Sequence, residues 1–258
     1  MKSFKTKIIA VSNQKGGVGK TTSAVNISAF LAVTETPTLL VDMDPQANAS
    51  TGLGVNTISN KFSIYDILIN NKNIEDCIAK TDIDYLDIIP SNSQLAGAEI
   101  ELVSMFTRES VLKDALSNIY GKYKYIIIDC PPSLGLLTIN VLTASSSVII
   151  PIQCEYYALD GLSQLLNTIR LIQKNLKKDL SIEGILITMY DSRLNLSKQV
   201  VHEVQEYFGE KVYHNYINRN VKLGEAPSHG KPIILYDPSS TGSNNYMNLV
   251  TEILNNNG

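Results

Sequence analysis

The sequence predicts an α/β protein, a doubly wound and mainly parallel sheet with helices on both faces. Three observations carry that prediction. Its short apolar runs are continuous rather than alternating, as strands covered on both faces require. They alternate with longer segments of helical period, the pattern of repeated βα units. The first run leads straight into a glycine-rich turn that opens a helical segment.

In order, residues 8–11 (Ile-Ile-Ala-Val) form a buried strand, and 22–33 form the helix that follows, with Ala24, Ile27, Ala29, Phe30 and Leu31 apolar. Strands are predicted over 38–42, 86–90, 125–129, 148–152 and 184–189, where β-branched and leucine residues run together. Helices are predicted over 95–119, 158–176, 196–208 and 243–254 from apolar spacing near 3.6 residues. Residues 212–217 and 232–235 are candidate strands. The span 52–85 is the least regular, with short helices at 64–69 and 74–79 lying outside the sheet. No repeat, linker or composition break divides the chain, so residues 1–258 read as one domain.

A hydrophobic fraction of 44% allows a sizeable core and excludes a disordered chain. Lys and Arg total 22 against 25 Asp and Glu, a net charge of -3. A basic field over the whole protein is absent, so nucleic-acid binding has to use a local patch or one doubled by symmetry. Cys77, Cys130 and Cys154 form no paired motif, which suits a reducing cytoplasm. Lys2, Lys5 and Lys7 precede the first apolar run, so no signal peptide is expected, and no apolar stretch is long enough to span a membrane. His202, His214 and His229 lack metal-ligand spacing.

The glycine-rich turn reads Gln14-Lys15-Gly16-Gly17-Val18-Gly19-Lys20-Thr21-Thr22. Its second half is a phosphate-binding loop. Backbone N–H groups and the helix N-terminus cradle phosphates, Lys20 neutralises them, and the Thr21 hydroxyl ligates Mg²⁺. The usual pattern has glycine where Gln14 stands, and it lacks Lys15. A second cation beside a triphosphate is explained if Lys15 reaches the phosphates of a second copy. Asp129 ends an apolar strand before Cys130-Pro131-Pro132, the usual place of a second Mg²⁺ partner. Asp42 and Asp44 close another strand, which suits one metal role and one water-positioning role. The cofactors expected are ATP and Mg²⁺.

With these residues in place the chain resembles the ParA/Soj-type partitioning ATPases, in the MinD/ParA group of deviant P-loop proteins. The resemblance covers nearly all of the chain. It rests on the loop above, on Asp42-Met43-Asp44-Pro45-Gln46-Ala47-Asn48, on Ile128 to Pro132, on Pro151 to Leu159, and on Gly224-Glu225-Ala226-Pro227-Ser228-His229-Gly230-Lys231-Pro232. It implies a P-loop NTPase fold and an ATP-bound homodimer with two nucleotides at its interface, across which Lys15 reaches. Asp44 activates water, and Asn220 lies near the adenine. The dimer binds DNA without sequence preference, through residues such as Arg193, Arg219, Lys222 and Lys231, with Lys198 a weaker candidate. A ParB/Spo0J-like centromere-binding partner stimulates hydrolysis and release. The location implied is cytoplasmic and nucleoid-associated.

Two departures stand out. Asn218 replaces the proline usual before Arg219-Asn220, and Ser239-Ser240-Thr241 stands where cations are common, which predicts weaker or more salt-sensitive DNA binding. Two other functions suit the same loop. A MinD-like positioning ATPase needs a basic amphipathic helix near the end, and residues 249–258 carry no cation. A redox member of the group needs paired cysteine ligands, and a metabolic member needs a dedicated substrate pocket.

Overall fold

A computed structural model describes residues 4–55, 61–155 and 160–257. Among them, seven strands form one sheet: β1 (Lys7–Val11), β2 (Thr38–Asp42), β3 (Ala79–Lys80), β4 (Leu86–Ile89), β5 (Tyr125–Asp129), β6 (Ser147–Gln153) and β7 (Ser181–Thr188). Their order is β3-β4-β2-β5-β1-β6-β7. All pairings are parallel except β3 with β4 at the edge. The predicted doubly wound fold is therefore present, and each of the six firmly predicted strands lies in the sheet.

The helices are α1 (Lys20–Val33), α2 (Asn48–Gly52), α3 (Ile64–Leu68), α4 (Leu95–Glu101), α5 (Val111–Ser117), α6 (Leu136–Ala144), α7 (Asp160–Asn175), α8 (Asn195–Phe208), α9 (Val221–Glu225), α10 (Ile233–Tyr236) and α11 (Thr241–Asn256). The pleat sends alternate strand residues to opposite faces. Ile8, Leu39, Ile126 and Ile128 join one buried cluster with Leu95, Leu112, Leu137 and Val200. Ile9, Leu40, Tyr125 and Ile127 join the other with Ile27, Leu31, Leu249 and Ile253. That two-sided burial is why the strands read as unbroken apolar runs.

Four predicted elements differ. The single helix over 95–119 is two, because Asn140 of α6 holds the break: its Nδ2 donates to the Arg108 carbonyl at 2.7 Å and its Oδ1 accepts the Leu112 N–H at 3.2 Å. Residues 212–217 make no strand. The Tyr213 and Ile217 N–H groups donate to β7 carbonyls, but Glu252 of α11 draws away the N–H groups of His214 and Asn215 between them. Residues 232–235 begin α10, with the Ile233 N–H anchored on Asn26 Oδ1 at 2.8 Å. Residues 74–79 divide into a 3₁₀ turn (Ile74–Cys77) and then β3, so part of this span joins the sheet. Helix α6 was not legible as a helix because it is buried on nearly every side and shows no apolar period. The start of the segment read as helix from Ala158 lies outside the described residues.

Candidate functional site

The carboxyl ends of β1, β2, β5 and β6 meet at one edge, and the glycine-rich loop spans it. The loop needs backbone that only glycine adopts freely: Gly17 and Gly19 have φ of 75° and 87°. Asn13 anchors its start, donating from Nδ2 to the Pro151 carbonyl at 2.7 Å while its Oδ1 accepts the Lys15 N–H at 3.0 Å. Thr188, at the end of β7, anchors the other side by donating to the Val18 carbonyl at 2.9 Å. Lys20 is buried, and its ammonium donates to the Lys15 carbonyl at 2.9 Å. The ammonium therefore lies over the loop that would cradle phosphates. Burial lowers its pKa, opposed by the attraction of Asp129 and Asp44.

Asp42 and Asp129 are register partners on β2 and β5, and both are fully buried. Their environments differ sharply. Asp42 Oδ1 accepts the Asp44 N–H at 3.1 Å, and Oδ2 accepts both the N–H and the hydroxyl of Ser50, at 2.8 and 2.7 Å. Burial still lifts its pKa to about 6, against the pull of those hydrogen bonds. Neither oxygen of Asp129 has a hydrogen-bond partner of good geometry, although the Thr21 hydroxyl lies close enough to act on it. Burial, then the charge of Asp42, pushes its pKa well up, while the Thr21 hydroxyl and Lys20 favour the ionised form. Two orphaned carboxylate oxygens beside a threonine hydroxyl suit a hydrated divalent cation shared with phosphate oxygens. Mg²⁺ bound that way takes only one or two protein ligands, and among the described residues no cluster of three His, Cys, Asp or Glu could hold a metal alone. The fit favours Thr21 and Asp129. Asp42, also expected as a metal partner, fits less well, because its two oxygens already accept three hydrogen bonds.

Asp44 is also buried, on the loop between β2 and α2, and its Oδ1 accepts the Gln46 N–H at 2.9 Å. Lys15 makes a different contact from Lys20. Its ammonium sits 2.7 Å from Glu155 Oε2, and both side chains are partly exposed. Glu155 lies in the Pro151 to Leu159 segment singled out above, but its pairing with Lys15 was not legible there. Its position next to the loop follows from β6 lying beside β1, which the sequence pattern alone does not specify.

Beside Gly19 and Thr22 opens a cavity of about 310 Å³, lined also by Met189, Asn218, Asn220 and Tyr246. Asn220 caps α9 by accepting the Lys222 N–H at 2.8 Å. The Arg219 N–H donates to the Tyr190 carbonyl, which brings Arg219 beside the turn carrying Arg193. Arg193 is paired with Asp191 at 2.6 Å, and Lys222 with Glu225 at 2.9 Å. Arg193 and Arg219 thus lie on neighbouring segments, while the Lys222 ammonium turns to Glu225 and the Tyr236 ring. Lys231 lies apart, at a second cavity of about 260 Å³ formed with Thr21, Asn48 and Thr51. The exposed Lys198 lies on α8. Both departures from the family pattern have local uses. The Asn218 N–H, which proline would lack, donates to Asn245 Oδ1 at 3.0 Å. Ser240 caps α11 by accepting the Ser243 N–H at 3.1 Å.

Comparison with known proteins gives a consistent result. Residues 6–182 match the family described as an AAA domain. The chain is 60% identical over 247 residues to the sporulation initiation inhibitor protein Soj of Bacillus subtilis, covering 96% of this chain and 98% of that one. It is 54% identical over 248 residues to the chromosome partitioning protein ParA of Myxococcus xanthus, covering 96% and 88%. Among solved structures it superposes on cobyrinic acid a,c-diamide synthase of Mycobacterium smegmatis, bound to an ATP analogue and magnesium. That match has a TM-score of 0.85 and 36% identity, and it covers 96% of this chain and 94% of that one. No helix among the described residues is long and apolar enough to cross a membrane. With identity this high over almost its full length, the chain belongs to the Soj/ParA family of partitioning ATPases.

Proposed function

We propose that the chain is a Mg²⁺-dependent ATPase whose ATP-bound homodimer binds DNA without sequence preference and is released by partner-stimulated hydrolysis. One observation carries the reading: two lysines of one loop make different contacts. Lys20 lies over its own loop, placed for the phosphates held there. Lys15 extends to the surface at Glu155, placed to reach phosphates held by a second copy.

The geometry supports the following assignment of roles. The amide N–H groups of Gly16 to Thr22 and the Lys20 ammonium bind the phosphates. Thr21 and Asp129 hold Mg²⁺, which when bound neutralises charge on the phosphates. Asp44 orients the attacking water with its free oxygen and accepts the water's proton late in the reaction. Asn220 and the cavity beside Gly19 take the adenine. Arg193, Arg219 and Lys222 contact DNA phosphates, with Lys231 at the margin, and dimerisation doubles the number of cations engaged. Affinity depends steeply on that number, so the nucleotide state switches DNA binding. A ParB-like protein is the stimulating partner, and the nucleoid in the cytoplasm is the place of action.

The similarity to cobyrinic acid a,c-diamide synthase raises a second reading, a metabolic ligase on the same fold. Sizing in solution with ATP, alongside retention on DNA, separates the two. Wild type is expected to dimerise with ATP and not with ADP. Asp44→Ala is expected to remain a trapped dimer on DNA, and Lys15→Ala to bind nucleotide as a monomer. A Lys15→Ala variant that dimerises and holds DNA like wild type would refute the proposal.

A further inference from the structure

Asp44 stands on a loop rather than on a strand or helix, yet a water-orienting carboxylate has to be held to within a fraction of an ångström. The structure shows what holds it. The loop leaves β2 at Asp42 and enters α2 at Asn48. Asp42 Oδ1 accepts the Asp44 N–H, which fixes the loop's start. Asp42 Oδ2 accepts the Ser50 N–H and hydroxyl, which fixes its far end. The Ser50 hydroxyl in turn accepts the Ser91 N–H at 3.1 Å, just beyond β4. Asp42, Ser50 and Ser91 are at most 1% exposed, so water does not compete for these bonds.

We infer that Asp42 and Ser50 are positioning residues for Asp44, and that Asp42 does not ligate Mg²⁺. This inference rests on the role given to Asp44 above. Asp42 serves three donors already, whereas the oxygens of Asp129, its register partner, accept no well-formed hydrogen bond and have only the Thr21 hydroxyl close by. The two aspartates divide the work: one shapes the loop and the other meets the cation.

The test uses the full-length chain with Asp42→Asn, Ser50→Ala, Ser50→Thr, Asp129→Asn and Asp44→Ala. Two quantities are read: hydrolysis under single-turnover conditions, and the Mg²⁺ concentration that half-saturates binding of a fluorescent ATP analogue. Ser50→Ala is expected to slow hydrolysis by about five- to tenfold, with the analogue's affinity changed by less than about twofold. Ser50→Thr, which keeps the hydroxyl, is expected to recover most of that loss. Asp42→Asn is expected to slow hydrolysis while leaving the Mg²⁺ requirement unchanged, and Asp129→Asn to raise that requirement at least about tenfold. Wild-type hydrolysis in both Asp42→Asn and Ser50→Ala, beside an inactive Asp44→Ala, would overturn this inference alone. So would a raised Mg²⁺ requirement in Asp42→Asn. Undiminished hydrolysis in Asp44→Ala would overturn the role of Asp44 and this inference with it. Should Asp42→Asn fail to fold, the two Ser50 variants decide the matter.

Discussion

Replacing Asp129 by asparagine is expected to stabilise the nucleotide-free protein while weakening its response to Mg²⁺ and ATP. Asp129 is 0% exposed, and both its oxygens lack hydrogen-bond partners of good geometry. An unpaired buried charge costs several kcal/mol and an unsatisfied neutral amide in the same place about 1–3 kcal/mol, so asparagine recovers only the difference. Removing the charge also removes the attraction that opposes the effect of burial on Lys20, so part of the gain is lost. A net gain of about 2 kcal/mol corresponds to a rise in melting temperature of about 4–8 °C for a domain of this size. Thermal unfolding at neutral pH, with and without Mg²⁺ and ATP, measures both effects. The variant should melt higher than wild type without ligand and gain less from Mg²⁺ and ATP. Most point substitutions destabilise, so the predicted sign is unusual. A variant that melts at or below the wild-type temperature without ligand would refute the claim that this carboxylate is held at a cost until a cation meets it.

Acidification offers a related check. The Asp42 carboxyl sits at about 6 in the fold against 3.8 unperturbed, so the folded chain takes up the proton first. Its contribution to stability therefore falls as pH rises through that window, by about 3 kcal/mol in all. The Mg²⁺-free protein should melt higher as pH is lowered from neutral to about 5, and Asp42→Asn should show a smaller rise. On the DNA side, Arg219→Ala is expected to weaken retention of ATP-loaded protein alike on unrelated sequences. It should also reduce the slope of log affinity against log salt by about 1 for each DNA phosphate no longer neutralised, read by titration at several salt concentrations.

The sheet was legible because burial on both faces writes itself as unbroken apolar runs such as Tyr125 to Ile128. The glycine-rich loop was legible because its backbone demands particular residues at fixed spacing. Contacts between segments distant in sequence were not legible. Nothing local marks Asn140 as the group that splits a helix thirty residues earlier, or Glu252 as the carboxylate that keeps residues 212–217 out of the sheet. Helix α6 failed for the opposite reason: its hydroxyl and amide side chains bond back to its own carbonyls, Ser145 to Val141 and Asn140 to Leu136, so an all-round buried helix carries polar residues without an amphipathic stripe. At the site, Asp42 and Asp129 look equivalent as strand-end aspartates. Only the hydrogen-bond partners tell them apart.

Residues 212–219 are stitched to α11 at both ends, by Glu252 onto His214 and Asn215 and by Asn245 onto Asn218. The same helix places Tyr246 in the cavity beside Gly19, hydrogen-bonded to Ser23 at 3.0 Å. The segment that leads to Arg219 is therefore splinted by a helix whose other side lines the cavity beside Gly19. One helix thus braces both the wall of that cavity and the segment leading to Arg219, which Tyr190 holds from the other side.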